Sequence, residues 1–156
     1  MSQSGIDEQS RKTTSLPIDS RQAGPSLHDG ITVTFAGGLP GFDHLRQFVI
    51  EPFAGDLAPF CRLRATEVSG IEFIVVPPGV LFPEYVVVVD DDTVDRLQLE
   101  DDDAVVLTIV TLAEDGRSPT ANLLGPIVVN RRTKTAAQVV LTGSDYGVAV
   151  PLVSAA

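Results

Sequence analysis

Apolar residues along the chain from residue 31 onward fall into short runs typical of β-strands. Ile31, Val33 and Phe35 alternate with threonines, which is the pattern of a strand with one buried face. Valine is the commonest large residue, and β-branched side chains favour the pleated surface of a sheet. Further strands are predicted at 47–53, 59–65, 71–77, 85–90, 104–113, 127–130, 135–141 and, more weakly, 147–150. The run at 85–90 lacks polar alternation, so we expect both of its faces to be covered.

Glycine and proline separate nearly all of these runs, as at Gly37-Gly38, Pro77-Pro78-Gly79 and Gly125-Pro126. Short strands at regular spacing with turn signals between them predict an all-β barrel or sandwich. One short helix of one or two turns is predicted at 92–99, with Asp92 or Thr93 as its cap.

The first 28 residues differ in composition from the remainder. They are rich in Ser, Gln, Thr and Pro, and their three acidic and three basic residues cancel. Such a segment buries too little apolar surface to offset the entropy of ordering it. We therefore expect a flexible N-terminal extension at 1–28 and a single β-domain at 29–156.

The charge balance narrows the classes of partner. Eleven Lys and Arg residues stand against 21 Asp and Glu residues, which gives a net charge of −10. A chain this acidic repels nucleic-acid backbones and anionic membrane surfaces, whereas a basic protein partner remains open. The chain also lacks an apolar run long enough for a membrane span and a signal-peptide pattern at its start. We expect a cytoplasmic protein, as a monomer.

Candidate catalytic residues are few. His44 adjoins Asp43, a poor arrangement for a triad in which the acid orients the imidazole, and His28 lies at the edge of the expected extension. The single cysteine, Cys61, lies in a strand-like run and is interpreted as a small buried residue. The acidic triplet beginning at Asp90 lacks the spacing of a calcium loop. The sequence predicts no enzyme, no metal site and no cofactor.

Acidic residues concentrate between residues 84 and 103, where nine acids stand against Arg96 alone, a net charge of −8. They admit two interpretations: a solvated rim that blocks edge-to-edge aggregation, or a patch that attracts a basic partner. A small basic cluster, Arg131, Arg132 and Lys134, is interpreted as a solvated turn. The acids taken as candidate contacts are Asp90, Asp91, Asp92, Glu100, Asp101, Asp102 and Asp103.

Two loops carry further candidates. Leu39 and Phe42 lie in a turn rich in glycine and proline, and they either anchor a partner or fold back as a plug over the barrel end. Asn122 and Asn130 flank a strand; turn stabilisation is the default role for asparagines there, and Asn122 is also a candidate contact.

These segments together resemble the FliW family of flagellar assembly factors. The resemblance runs from about residue 31 to 152 and rests on an ordered set of motifs. The motifs are Phe35, Gly38-Leu39-Pro40-Gly41-Phe42, Gln47-Phe48-Val49, Pro59-Phe60, Leu63, Phe73-Ile74-Val75-Val76-Pro77, Pro83, Tyr85, Thr120-Ala121-Asn122-Leu123-Leu124-Gly125-Pro126-Ile127-Val128-Val129-Asn130, Gln138-Val139-Val140-Leu141 and Tyr146.

The resemblance implies a small antiparallel β-barrel without enzymatic activity. Members of the family bind cytoplasmic flagellin before export and sequester CsrA, a basic RNA-binding regulator, which relieves repression of flagellin translation. Two alternatives remain open. One is a flavin-binding split β-barrel oxidoreductase, with the cluster beginning at Arg131 as its only basic cradle for a phosphate. The other is an adaptor barrel with unrelated partners.

Overall fold

The structure is a computed structural model that describes residues 16–18, 30–53, 57, 59–100, 103–112 and 118–152. In chain order the elements are β1 (Leu16–Ile18), β2 (Ile31–Phe35), β3 (Gln47–Pro52), β4 (Cys61–Ala65), β5 (Glu72–Val76), a 3₁₀ turn (Pro78–Val80), β6 (Val87–Val89), α1 (Asp91–Leu97), β7 (Ala104–Thr111), β8 (Thr120–Ala121), β9 (Ile127–Asn130), β10 (Thr135–Gln138) and β11 (Val150–Pro151).

Seven of the strands close into a barrel in the order β7-β5-β4-β3-β2-β10-β9, with β9 pairing back onto β7. Neighbouring strands run antiparallel, except that β2 and β10 are parallel, with Thr135 opposite Thr34. The predicted small barrel with one short helix is confirmed, with this parallel pair as an exception to the antiparallel expectation. β8 and β11 extend the sheet beyond β7.

The barrel interior is filled by side chains that alternate along the strands. Phe35 of β2 meets Phe48 of β3 edge-on, with ring centroids 5.3 Å apart. Along β4, Cys61, Leu63 and Ala65 are buried while the two arginines between them are partly exposed. The period-two pattern read from the sequence therefore marks the true interior face.

A second apolar cluster lies outside the barrel wall. Val106 of β7 and Val128 of β9 point outward into it, where they meet Val87 and Val89 of β6 and Leu97 of α1. Their neighbours Val105 and Leu107 point into the barrel. Residues 104–107 of β7 and 127–129 of β9 are therefore covered on both faces, which explains the unbroken apolar sequence of these two stretches.

The expectation that the run at 85–90 is covered on both faces is wrong. Val87 and Val89 are fully buried, but Val86 and Val88 are 48% and 50% exposed. β6 lies outside the closed barrel and, among the described strands, pairs with β1 alone, and one of its faces packs against β7 and β9.

β1 is the second departure from expectation. Leu16–Ile18 lies inside the segment expected to be a flexible extension, yet it forms a strand antiparallel to β6. The remainder of the expected extension, 1–15 and 19–28, lies outside the described residues. The three-residue strand is held by a partner that lies about seventy positions further along the chain, and local composition carries no signal for such a pairing.

Candidate partner-binding surface

The loop between β2 and β3 closes one end of the barrel. Leu39 is only 2% exposed and belongs to the barrel core, while Phe42 is half-buried and packs edge-on against Phe73 at 5.7 Å. Gly38 has a φ of +71°, and a Cβ there would collide with the backbone of Asp43. Of the two interpretations of this loop, the structure has the plug geometry, and Leu39 has no exposed surface to offer a partner.

Helix α1 and the residue before it carry several exposed acids of the acidic cluster. Asp90 is its cap, and its carboxylate accepts a 2.9 Å hydrogen bond from the backbone N–H of Thr93. The expected caps, Asp92 and Thr93, are wrong, because the helix begins one residue earlier, at Asp91. The hydrogen bond holds the pKa of Asp90 below its ordinary value. Asp91 and Asp92 lie in the first turn, where negative charge interacts favourably with the positive end of the helix dipole.

The C-terminal end of α1 is fastened by Asn130, which is completely buried. Its side-chain N–H groups donate to the backbone carbonyls of Leu97 at 2.7 Å and Gln98 at 3.1 Å. Its side-chain oxygen accepts from the backbone N–H groups of Arg132 at 2.8 Å and Thr133 at 3.1 Å. One amide thus connects the helix to the β9–β10 turn. Asn130 has the turn role expected for it and in addition binds the end of α1.

The other half of the acidic cluster is paired with a cation. Arg132 donates to Asp103 at 3.0 Å and to the carbonyl of Gln98 at 2.8 Å, and its guanidinium lies 3.9 Å from Glu100. The sequence interpretation of Arg132 as part of a solvated turn missed this network. Asp101 and Asp102, also candidate contacts, lie outside the described residues.

The same contacts bear on the flavin alternative. Arg132 is engaged with Asp103, and the ammonium of Lys134 donates to the carbonyl of Arg131 at 3.1 Å. These groups already serve the protein's own turn and helix end. A phosphate cradle at this turn would have to break those contacts.

Asn122 occupies the turn before β9. Its side-chain oxygen accepts from the N–H of Gly125 at 2.9 Å, and Gln138 donates to the carbonyl of Gly125 at 2.8 Å. A Cβ at Gly125 would lie 3.0 Å from Nε2 of Gln138. The default turn role of Asn122 is therefore met by its geometry.

The sequence did not predict an aromatic cleft beside β6. Tyr85 and Tyr146 meet edge-on with centroids 4.6 Å apart, and the Tyr85 hydroxyl donates to the carbonyl of Leu123 at 2.7 Å. Burial and the neighbouring Tyr146 raise the pKa of Tyr85. With Phe82 and Glu84 these residues line a cleft of about 530 Å³. Tyr85 and Tyr146 belong to two separate sequence motifs, and their convergence depends on the fold.

Burial raises the pKa of the Cys61 thiol, which fits its interpretation as a small core residue. Within the described part of the chain, acidic, histidine and cysteine side chains form no group of three that could hold a metal ion. No helix in that part is long and apolar enough to cross a bilayer.

Comparison with known proteins gives a consistent answer. The family model described as FliW protein matches residues 15–152. The chain is 41% identical over 121 residues to the flagellar assembly factor FliW of Bacillus licheniformis and 40% identical over the same length to that of Bacillus subtilis. Each match covers 77% of this chain and 84% of the relative.

A solved structure shares the fold. The crystal structure of a flagellar assembly factor FliW superposes with a TM-score of 0.74 at 28% sequence identity, covering 88% of this chain and 97% of that one. The family match includes β1, which the sequence resemblance had left out. With a matching family model, closely similar relatives and the same barrel, this chain belongs to the FliW family of flagellar assembly factors.

Proposed function

We propose that this chain is a monomer that binds flagellin in the cytoplasm and sequesters CsrA. Sequestration of CsrA relieves the repression of flagellin translation. Membership of the FliW family is the observation that carries the proposal. Flagellin that accumulates would occupy the protein and release CsrA, and export of flagellin would free the protein again.

The exposed acidic face of α1 supports a basic partner such as CsrA. Asp92 and Asp95 are exposed, Asp91 is partly exposed, and the guanidinium of Arg96 lies 4.0 Å from Asp92. By contrast, Glu100 and Asp103 are already close to Arg132. The helix therefore presents an exposed face on which the acids outnumber their neighbouring cation, Arg96.

Flagellin is proposed to use apolar surface of the loop between β2 and β3. Leu39 is buried and serves the core, so Phe42 is the one member of that loop pair with side chain left to contact a partner. If CsrA binds the acidic helix and flagellin binds apolar surface, the acids of α1 should contribute much to CsrA binding and little to flagellin binding.

The direct test is calorimetry of the purified protein with monomeric flagellin from the same source, followed by CsrA as competitor. We expect one-to-one binding of flagellin that excludes CsrA. If flagellin binds ~100-fold tighter, the difference of about 2.7 kcal/mol lies within reach of a few apolar contacts.

Failure of folded protein to bind flagellin would overturn the proposal and leave the adaptor alternative. Binding of flagellin and CsrA at the same time, without competition, would refute the switch while keeping both partners. Light scattering measures the mass of the free protein in solution and so tests whether it is a monomer.

A further inference from the structure

On the edge of β6 that faces away from β1, backbone groups lack hydrogen-bond partners among the described residues. In the ladder with β1, Val88 is opposite Pro17, and Leu16 and Ile18 are opposite Val89 and Val87. Proline has no N–H, so Pro17 and Val88 form the non-hydrogen-bonded pair between two hydrogen-bonded ones. The N–H and C=O of Val88 therefore point away from β1.

Val86 confirms this direction. Residues two apart on a strand turn their backbone groups to the same side, and the N–H of Val86 donates to the Tyr146 hydroxyl at 3.2 Å. Among the described residues, no group hydrogen-bonds to the outward N–H or C=O of Val88. The side chains of Val86 and Val88 are half exposed, so the outer face of β6 is in contact with solvent.

The aromatic cleft adjoins the open edge. Tyr146 links the two, because it lines the cleft and bonds to the backbone of Val86. An unpaired strand edge beside an apolar pocket is the arrangement by which proteins capture extended peptides: backbone hydrogen bonds add a strand, and the pocket takes one side chain.

Charge indicates which peptide fits. Glu84 lies on the cleft rim before β6, and Asp90 and Asp91 follow β6 directly. Glu84 is exposed and has no ion-pair partner in the described part of the chain. A strand lying along β6 would thus run between acidic groups at both ends.

We propose that β6 and the adjoining cleft bind an extended segment of a partner protein, apolar at its centre and basic at both ends, which adds a strand to the β1–β6 sheet. Its central side chain enters the cleft between Phe82 and Tyr146, and its Lys or Arg residues meet Glu84 and Asp90. The inference rests on strand geometry and not on the proposed function, so the two stand or fall separately.

The first test needs no partner and no variant. Amide hydrogen exchange of the intact protein, followed by NMR, should show fast exchange at Val88 between protected amides at Val87 and Val89. A Val88 amide as protected as its two neighbours would show that the edge is closed and would overturn the proposal.

The second test adds a capped peptide, Lys-Val-Leu-Val-Lys, labelled for fluorescence anisotropy. We expect saturable binding that slows exchange at Val88. Two control peptides are used: one is N-methylated at alternate residues, and the other has Glu in place of both Lys residues. Each should bind at least tenfold more weakly, a loss of about 1.4 kcal/mol of binding free energy. Absence of binding, or equal binding by either control peptide, would overturn the proposal.

Variants of the protein complete the design. Val88→Pro removes the outward N–H and should lower affinity about tenfold, whereas Val88→Thr keeps that N–H and a β-branched side chain and should bind as the parent does. If Val88→Pro fails to fold, the N-methylated peptide still tests the same hydrogen bonds from the other side. Equal affinity of a folded Val88→Pro protein would refute strand addition.

Discussion

A single buried amide, Asn130, holds the acidic helix in place against the barrel. It satisfies two carbonyls at the end of α1 and two N–H groups in the β9–β10 turn. Buried polar groups that lose their partners carry the full cost of desolvation, so this residue has a larger effect on stability than its size indicates.

Asn130→Ala is expected to lower the free energy of unfolding by about 2–3 kcal/mol, because it leaves buried carbonyl and N–H groups without partners. Urea denaturation measures it. Asn122→Ala is the matched control: that side chain is partly exposed and accepts one bond from Gly125, so we expect about 1 kcal/mol. Equal losses for the two variants would contradict the role assigned to Asn130.

Leu39→Ala tests the plug. Because Leu39 is buried in the barrel core, the truncation should cost about 2–5 kcal/mol of unfolding free energy. Leu57, 54% exposed, is the control, and its replacement by alanine should change stability by less than about 0.5 kcal/mol. A Leu39→Ala protein of parental stability would place the side chain outside the core and revive the anchor interpretation.

At the scale of elements, α1 depends on its ends more than on its length. Seven residues are too few for a helix to persist alone in water. Asp90 caps one end, and Asn130 with Arg132 satisfies carbonyls at the other. The acidic surface is therefore available only when both ends are held.

The Asp90 cap should make stability depend on pH. The folded pKa of Asp90 is depressed by the hydrogen bond from Thr93, so its contribution is present above the unfolded pKa of ~3.9 and is lost as pH falls through the folded value. Asp90→Ala should cost about 1 kcal/mol at pH 7, with the difference from the parent shrinking towards pH 3.

Asp90→Asn separates charge from capping in that experiment. Asparagine also caps helices, so this variant should stay near parental stability at pH 7 while losing the pH dependence that the carboxylate contributes. The measurement is the free energy of unfolding of the parent and both variants between pH 7 and pH 3. A constant difference between Asp90→Ala and the parent across this range would refute the assignment.

For the whole molecule, the distribution of charge matters more than its total. The net charge of −10 is shared by the entire surface, but the fold neutralises part of the 84–103 cluster with Arg132 and leaves the helix unbalanced. If CsrA docks on that face, its affinity should fall steeply with added salt, while flagellin binding changes little.

Two triple variants test whether CsrA binds the acidic face of α1. Both remove three negative charges, but from different parts of the surface. Asp91→Asn with Asp92→Asn and Asp95→Asn should weaken CsrA binding severalfold and leave flagellin binding unchanged. The control removes three acids elsewhere on the surface: Asp43→Asn, Glu72→Gln and Asp145→Asn. Calorimetry at two salt concentrations measures the affinity of each variant for CsrA and for flagellin. Equal loss in the two triple variants would show that only total charge matters.

The sequence by itself determined the β class, the strand segments and the short helix, because side-chain alternation and turn residues are local properties. It also carried the family resemblance. It placed Leu39 and Asn122 in their correct loops. For Leu39 it left open whether the side chain faced solvent or core, since that depends on what closes the barrel end.

Only the tertiary structure decided which segments meet. Ala104 and Asn130 are paired in the ladder of β7 and β9, and this register brings the acids after α1 to Arg132. The fold likewise placed β1 on one edge of β6, and among the described residues no strand pairs with the other edge. Such contacts join residues far apart in the chain, whose pairing depends on packing across the whole fold and leaves no local pattern.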